Sequence, residues 1–338
     1  MFASEQTVSE WKLLLKNVLK AFEEHEGVNL PPYVNRDISS PILHIPNVDF
    51  VFDDLPWLNL ALANHQTLSE DLQNGISGII CRDIDLMASI DTQIVPVYLF
   101  IESGFELYYK DDFFNISNYH KARINILNYK DKGINIVHEL AIAQKMMYDL
   151  IISEPADNFF LLLEVGVGTS FLEEIAKIRS LRYLAKSLGR ILNKNIKVQI
   201  FATNTVNNKV AADDENNIIR ATIETMAAVL GGSDGIYYSA TDGHIRKLAQ
   251  NIQHLLVHES DFGKNRNTVE GAYAVELLTK ECVEKSWQTF LSIREKNSAE
   301  VKDVFNAWCE GDACELQRKY DTLEKIWVGV NKFQFVRK

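Results

Sequence analysis

Apolar positions along this chain change period again and again. Short runs rich in β-branched residues give way to apolar residues spaced by three and four, and then return, so strands alternate with helices. The clearest unit runs from Ile196 to Thr241, with KVQIFATNT, then DDENNIIRATIETMAAVLGG, then SDGIYYSAT. Asp213 and Asp214 stand where a helix start favours acceptors and negative charge, and Gly231 with Gly232 stops it. The spacing predicts a buried face made of Ile218, Ile219, Ile223, Met226, Ala227 and Leu230. A helix joining two strands of one sheet makes a right-handed crossover, which makes this a unit of a parallel α/β fold.

The rest of the chain repeats the theme. NFFLLLEVGVGTSFLEEIAKIRSLRYLAKSLGRIL reads as a strand feeding a helix, with a capping box predicted from Ser170 to Glu173. From Trp57, strands are expected in WLNLALA, SGIICR, IVPVYLFIES and ARINILN, and helices around 68–73 and in INIVHELAIAQKMMYDLII. This gives about seven strands, one short of a closed barrel. The eighth is expected near 84–90 or 105–110, where FELYYKDDFF also fits a hairpin on the barrel edge. The predicted fold is therefore an α/β, (β/α)8 TIM-type barrel over residues 57–260. An amphipathic helix over 8–26 and a proline-rich extended arm precede it in residues 1–56. A helical extension, 261–338, follows it, with helices near 277–295 and 299–325.

Composition narrows the class. Of the 338 residues 46% are hydrophobic and 24% charged, enough for a large soluble core. A formal charge of −11 argues against nucleic acid or an anionic membrane as partner, because both are gripped by clustered Lys and Arg. Cys81, Cys282, Cys309 and Cys314 form no CxxC pair, which points to reduced thiols. With no basic leader and no apolar run near 18 residues, the expected location is the cytoplasm.

Three local motifs suggest chemistry. Gly166 and Gly168 follow a strand, but the third glycine of a dinucleotide loop is replaced, and a tight strand-to-helix turn is expected. His254 and His258 share a helix face without a third metal ligand, so a packed or solvated pair is expected. Along the strands at 199–205 and 237–241, one parity carries Gln199, Thr203, Thr205, Tyr237, Ser239 and Thr241. These inward positions are candidate ligand contacts for a threaded molecule such as an acyl-CoA, or simply fill the barrel.

Taken together, NNIIRATIETMAAVLGGSDGI, FLEEIAKIRSLRYL, Glu259-Ser260, EGAYAVELLT followed by Trp287, and VGVNKF resemble the substrate barrel of the cobalamin-dependent methylmalonyl-CoA mutases in order and spacing. The resemblance implies a substrate-binding arginine where this chain has Gln199, and a catalytic histidine where it has Tyr237. A neutral amide does not replace a bidentate cation toward a carboxylate, and a phenol is a different acid and base. The family's cobalamin domain carries Asp-x-His-x-x-Gly. In Asp242-Gly243-His244 the following Ile245, Arg246 and Lys247 omit the glycine, and the domain itself is expected to be missing. The resemblance therefore implies a shortened, non-catalytic small subunit, binding no cofactor or metal alone, in a heterodimer with a large catalytic subunit that carries adenosylcobalamin. The alternatives are the barrel half of a split acyl-CoA mutase with altered specificity, or a regulatory barrel that binds a CoA-like ligand.

Overall fold

The computed structural model describes residues 56–334 apart from 65, 93–94, 102–103, 109–115, 212, 239–242 and 263–267, together with 24–25 and 27–29. Its frame is a sheet of eight strands: β1 Leu58–Leu62, β2 Gly78–Cys81, β3 Val97–Phe100, β4 Phe105–Tyr108, β5 His120–Asn125, β6 Asn158–Val167, β7 Asn195–Asn204 and β8 Gly235–Tyr237. Their order is β4-β3-β2-β1-β8-β7-β6-β5, parallel throughout except for the antiparallel β3–β4 pair. The eighth strand thus lies at 105–108, in the hairpin sense, while 84–90 supplies the short helix α2 (Ile84–Met87). β4 and β5 face each other across a seam that side chains bridge, Lys121 Nζ meeting Glu106 Oε2 at 2.8 Å. The result is a nearly closed (β/α)8 TIM-type barrel.

Helices cover the outside: α1 (Leu68–Gln73), α3 (Leu127–Lys130), α4 (Ile136–Ser153), α5 (Phe171–Leu192), α6 (Asp214–Gly231) and α7 (Gly243–His258). Two more, α8 (Tyr273–Ile293) and α9 (Ser298–Asp321), follow the last strand. α8 lies against α5, where Arg179 Nη2 meets Glu276 Oε1 at 2.7 Å.

Strand alternation divides the core in two. Outward residues such as Leu161, Leu163, Val198 and Ile200 pack on helices, while Leu58, Leu60, Tyr98, Phe160 and Phe201 fill the barrel. Gly78 and Gly235 are tight points, since a Cβ there would stand 2.7 and 2.6 Å from Leu60. That interior has no room for one more methyl group.

Several local expectations meet a different outcome. Asp213 does cap α6, accepting from the Asn216 amide, and Gly232 ends it at φ 87°. Its buried face is Asn217, Arg220, Ala221, Glu224, Thr225, Ala227, Ala228 and Gly231, so Ala227 is buried as expected while Ile219 is exposed. Small residues let α6 approach α5, where a Cβ on Gly231 would stand 2.8 Å from Ile178 Cβ, so Ile218, Met226 and Leu230 move to the flanks. At α5 the predicted capping box does not form, because Ser170 makes no side-chain cap bond. The neighbouring Glu174 instead turns inward to Lys130 and Lys177. Glu24–His25, the end of the helix predicted over 8–26, pairs as a short ribbon with Val28–Asn29. The remainder of that helix and the arm up to residue 55 lie outside the described residues.

Candidate functional site: the barrel interior and mouth

β6 is apolar and buried along its length, yet its inward position 164 is a fully buried glutamate. A carboxylate there must be paired to remain charged. Arg123, inward on β5, donates from Nη1 to Glu164 Oε2 at 2.9 Å, and Tyr237, inward on β8, donates from its hydroxyl to Oε1 at 2.7 Å. The Arg123 guanidinium also lies over the Phe100 ring, 4.5 Å from its centroid. Burial and the adjacent Glu164 carboxylate push the Tyr237 phenol well above its ordinary value, which keeps it a neutral donor. Three strands are thus tied at one point in the mouth, above an aromatic plug.

The residues singled out by parity are placed as follows. Gln199 is fully buried in the barrel, deep to Glu164, and neither its amide oxygen nor its nitrogen makes a hydrogen bond. Burial pushes the nearby Tyr98 phenol upward, and its hydroxyl likewise makes no hydrogen bond of normal geometry. Thr203 is buried next to Tyr237 and donates to Asn204 Oδ1 at 3.3 Å. Thr205, just past β7, donates to Asn207 Oδ1 at 2.9 Å and packs where a Gly166 side chain would stand. Ser239 and Thr241 lie outside the described residues. The structure therefore gathers Thr203 and Tyr237 at the mouth, sets Gln199 below them and leaves Thr205 on the rim. A void of about 10 Å³ touches Thr203 and Tyr237 but lies toward α6 and α7, among Ala202, Thr225, Ala228, Ile236 and Ala249, with room for about one water.

Arg123 and Glu164 were not apparent from the sequence motifs. The signal for Glu164 was a lone acid at inward parity in NFFLLLEVGV, and for Arg123 a cation at inward parity in the preceding strand.

Outside the mouth, a larger cavity of about 280 Å³ lies between the turns after β5, β6 and β7 and the last turns of α9, with Lys130, Asn135, Ser170, Asn207 and Asp312 in its wall. Its edge is clasped by Asp312, which accepts from His138 Nδ1 at 2.7 Å and from Asn135 Nδ2 at 2.8 Å. His138 stacks on Trp308 at 4.5 Å. Gly166 is still within β6, paired with Thr203, and Gly168 begins the strand-to-helix turn that lines this cavity. The His254 ring bonds the Asn74 carbonyl at 2.7 Å and stacks on His258 at 6.0 Å, as a packed pair. Among the described residues no group of three or more His, Cys, Asp or Glu is placed to hold a metal ion, and no helix is long and apolar enough to cross a membrane.

Known sequences complete the picture. The profile of the family described as methylmalonyl-CoA mutase matches residues 115–338. The methylmalonyl-CoA mutase small subunit of Porphyromonas gingivalis is 28% identical over 234 residues, 62% of this chain and 38% of that protein. The large subunit from the same organism is 28% identical over 183 residues, 50% of this chain and 26% of that one. The mitochondrial methylmalonyl-CoA mutase of Bos taurus is 28% identical over 254 residues, 66% of this chain and 33% of that one. The chain spans about a third of the length of such relatives. With a profile match across well over half its length, running from just before β5 to the final residue, the chain belongs to the methylmalonyl-CoA mutase family.

Proposed function

We propose that this chain is a small-subunit-like, non-catalytic component of a methylmalonyl-CoA mutase, supporting a large subunit that interconverts methylmalonyl-CoA and succinyl-CoA in the cytoplasm. The observation that carries this reading is the filled barrel: Leu60 lies across Gly78 and Gly235 against Phe201, with Tyr98 and Phe160 in the same cluster. A chain-like ligand threading the axis would have to displace that plug. The polar side chains above it are bound to one another through Glu164, so they do not converge on a shared open point. Gln199 and Tyr237, at the positions where the family resemblance implies an arginine and a histidine, favour the same reading.

His138, His244 and His254 are not placed as an axial ligand for adenosylcobalamin. His138 is fixed by Asp312, His254 by the Asn74 carbonyl, and His244 opens α7 without the glycine of the family motif. The cofactor is then the partner's.

The test is co-expression of the chain with a large mutase subunit from its own genome, followed by size exclusion and an isomerisation assay on the complex and on the chain alone. A stable heterodimer, active only with the large subunit, is expected. Turnover by the chain with a separate cobalamin-binding protein would replace this reading with the split-enzyme one, and failure to form a complex would overturn it.

A further inference from the structure

At the C-terminal end of β1, on the rim rather than in the axis, there is a cavity of about 360 Å³. Leu60, Ala61, Leu62 and Ala63 make its apolar floor, and Tyr238 and Arg246 stand in its wall. That volume is in the range of small-molecule sites, and Asn64, Gln66, Thr67, Gln250 and Gln253 add a polar wall above the apolar floor. Arg246 is the single charged side chain among its described lining residues.

The arginine is held from behind. Its Nε donates to Asp71 Oδ1 at 2.9 Å, and Nη2 reaches Glu70 Oε2 at 3.5 Å, both on α1. Asp71 is fully buried and also accepts from Gln250 Nε2 at 2.8 Å, so the carboxylate that orients the guanidinium is itself fixed. These contacts occupy the side edge of the guanidinium and leave Nη1 without a protein acceptor among the described residues. A planar, pre-oriented guanidinium edge suits a carboxylate. Asp71 and Glu70 already balance the charge of Arg246, so recognition rests on the directed hydrogen bonds of its free edge rather than on net attraction. Tyr238 also lines the cavity, and burial with the Glu224 and Asp214 carboxylates of α6 pushes its phenol up to about 12, so it stays neutral.

We infer that this rim cavity is a binding site for a short aliphatic carboxylate, whose head meets the free edge of Arg246 and whose hydrocarbon lies on Leu62 and Ala63. The site is built by β1, α1 and α7 and lies apart from the Glu164 cluster, so it stands whether or not the subunit reading holds.

The experiment is a titration of the full chain with butyrate, followed by amide chemical shifts, with butyramide as the neutral isostere and inorganic phosphate as a second anion. Saturable shifts over residues 60–67 and 243–253 with butyrate, at least tenfold weaker with butyramide and with phosphate, are expected. Arg246→Gln should weaken butyrate at least tenfold. Since that change also strips Asp71 of its partner, Ala63→Leu provides the second variant, filling the floor without touching the ion pair. It should abolish the shifts while the thermal midpoint changes little. Absence of saturable shifts, equal binding of butyramide, tighter binding of phosphate, or butyrate shifts that persist in Ala63→Leu would each overturn the inference.

Discussion

The two halves of the barrel are built to different standards. In the half from β5 to β8, β6 and β7 are ten residues each, and α4, α5 and α6 run 18, 22 and 18 residues. From β1 to β4 the strands are four or five residues, α1 has six, α2 four, and β4 runs against its neighbour. The family profile begins at residue 115, so it covers the regular half and not the irregular one. The outward core differs in the same direction. A long cluster lies under α4 to α8, whereas β2 and β3 have only a small one around Ile79, Val97 and Leu86. One half thus carries its own two-layer core, while the other closes the ring by lending Leu58, Leu60, Tyr98 and Phe105 to the shared interior. Barrel closure depends on filling the inside more than on matching every outside helix.

The largest expected effect falls on the regular half. Arg182, on α5, donates to Asp234 Oδ2 at 2.6 Å, to the Gly232 carbonyl at 2.8 Å and to the Val198 carbonyl at 3.2 Å, and both side chains are buried. Arg182→Met leaves a buried carboxylate without its cation and should cost about 3–5 kcal/mol in urea denaturation. A loss under about 1 kcal/mol would mean the regular half does not anchor the fold.

The second effect is pH-dependent and also belongs to the regular half. Glu224 on α6 is buried beside Lys209 and Asn208, and burial outweighs both partners, raising its carboxyl from 4.5 to about 7. The folded state then binds a proton that the unfolded chain has released, so stability should fall as pH rises from about 4.5 to about 7. Buried Glu139 is raised to about 7 as well, so Glu224→Gln should reduce that slope without abolishing it. An unchanged slope in the variant would assign it to other groups.

The smallest effect is at the seam. Lys121 and Glu106 are partly exposed, so Lys121→Ala should change global stability by less than about 1 kcal/mol. Native-state hydrogen exchange sharpens the comparison. Amides of β3 and β4 should open at lower free energy than those of β6 and β7, and Lys121→Ala should widen the gap. Equal protection in both halves would dissolve the distinction.

Much of the regular half was legible in the sequence. Its strand-to-helix units, the glycine stop of α6 and the inward parity of Gln199, Thr203 and Tyr237 follow from periodicity, because strand faces alternate whatever the neighbours are. The irregular half was harder, since a four-residue strand such as FELY and a one-turn helix carry too few positions to establish a period. In the mouth, the missed partners are Arg123 and Glu164, 41 residues apart, and Tyr237, 73 residues beyond Glu164.

The sequence by itself determined the alternation of strands and helices and the family. Only the tertiary structure decided that Leu60, Phe201 and Tyr98 plug the axis, that α6 buries Glu224 and Arg220 in place of its isoleucines, and that Arg246 faces a rim cavity. The first set is written in local spacing and residue type. The second depends on which distant side chains meet when the sheet curls, and on how much space those meetings leave.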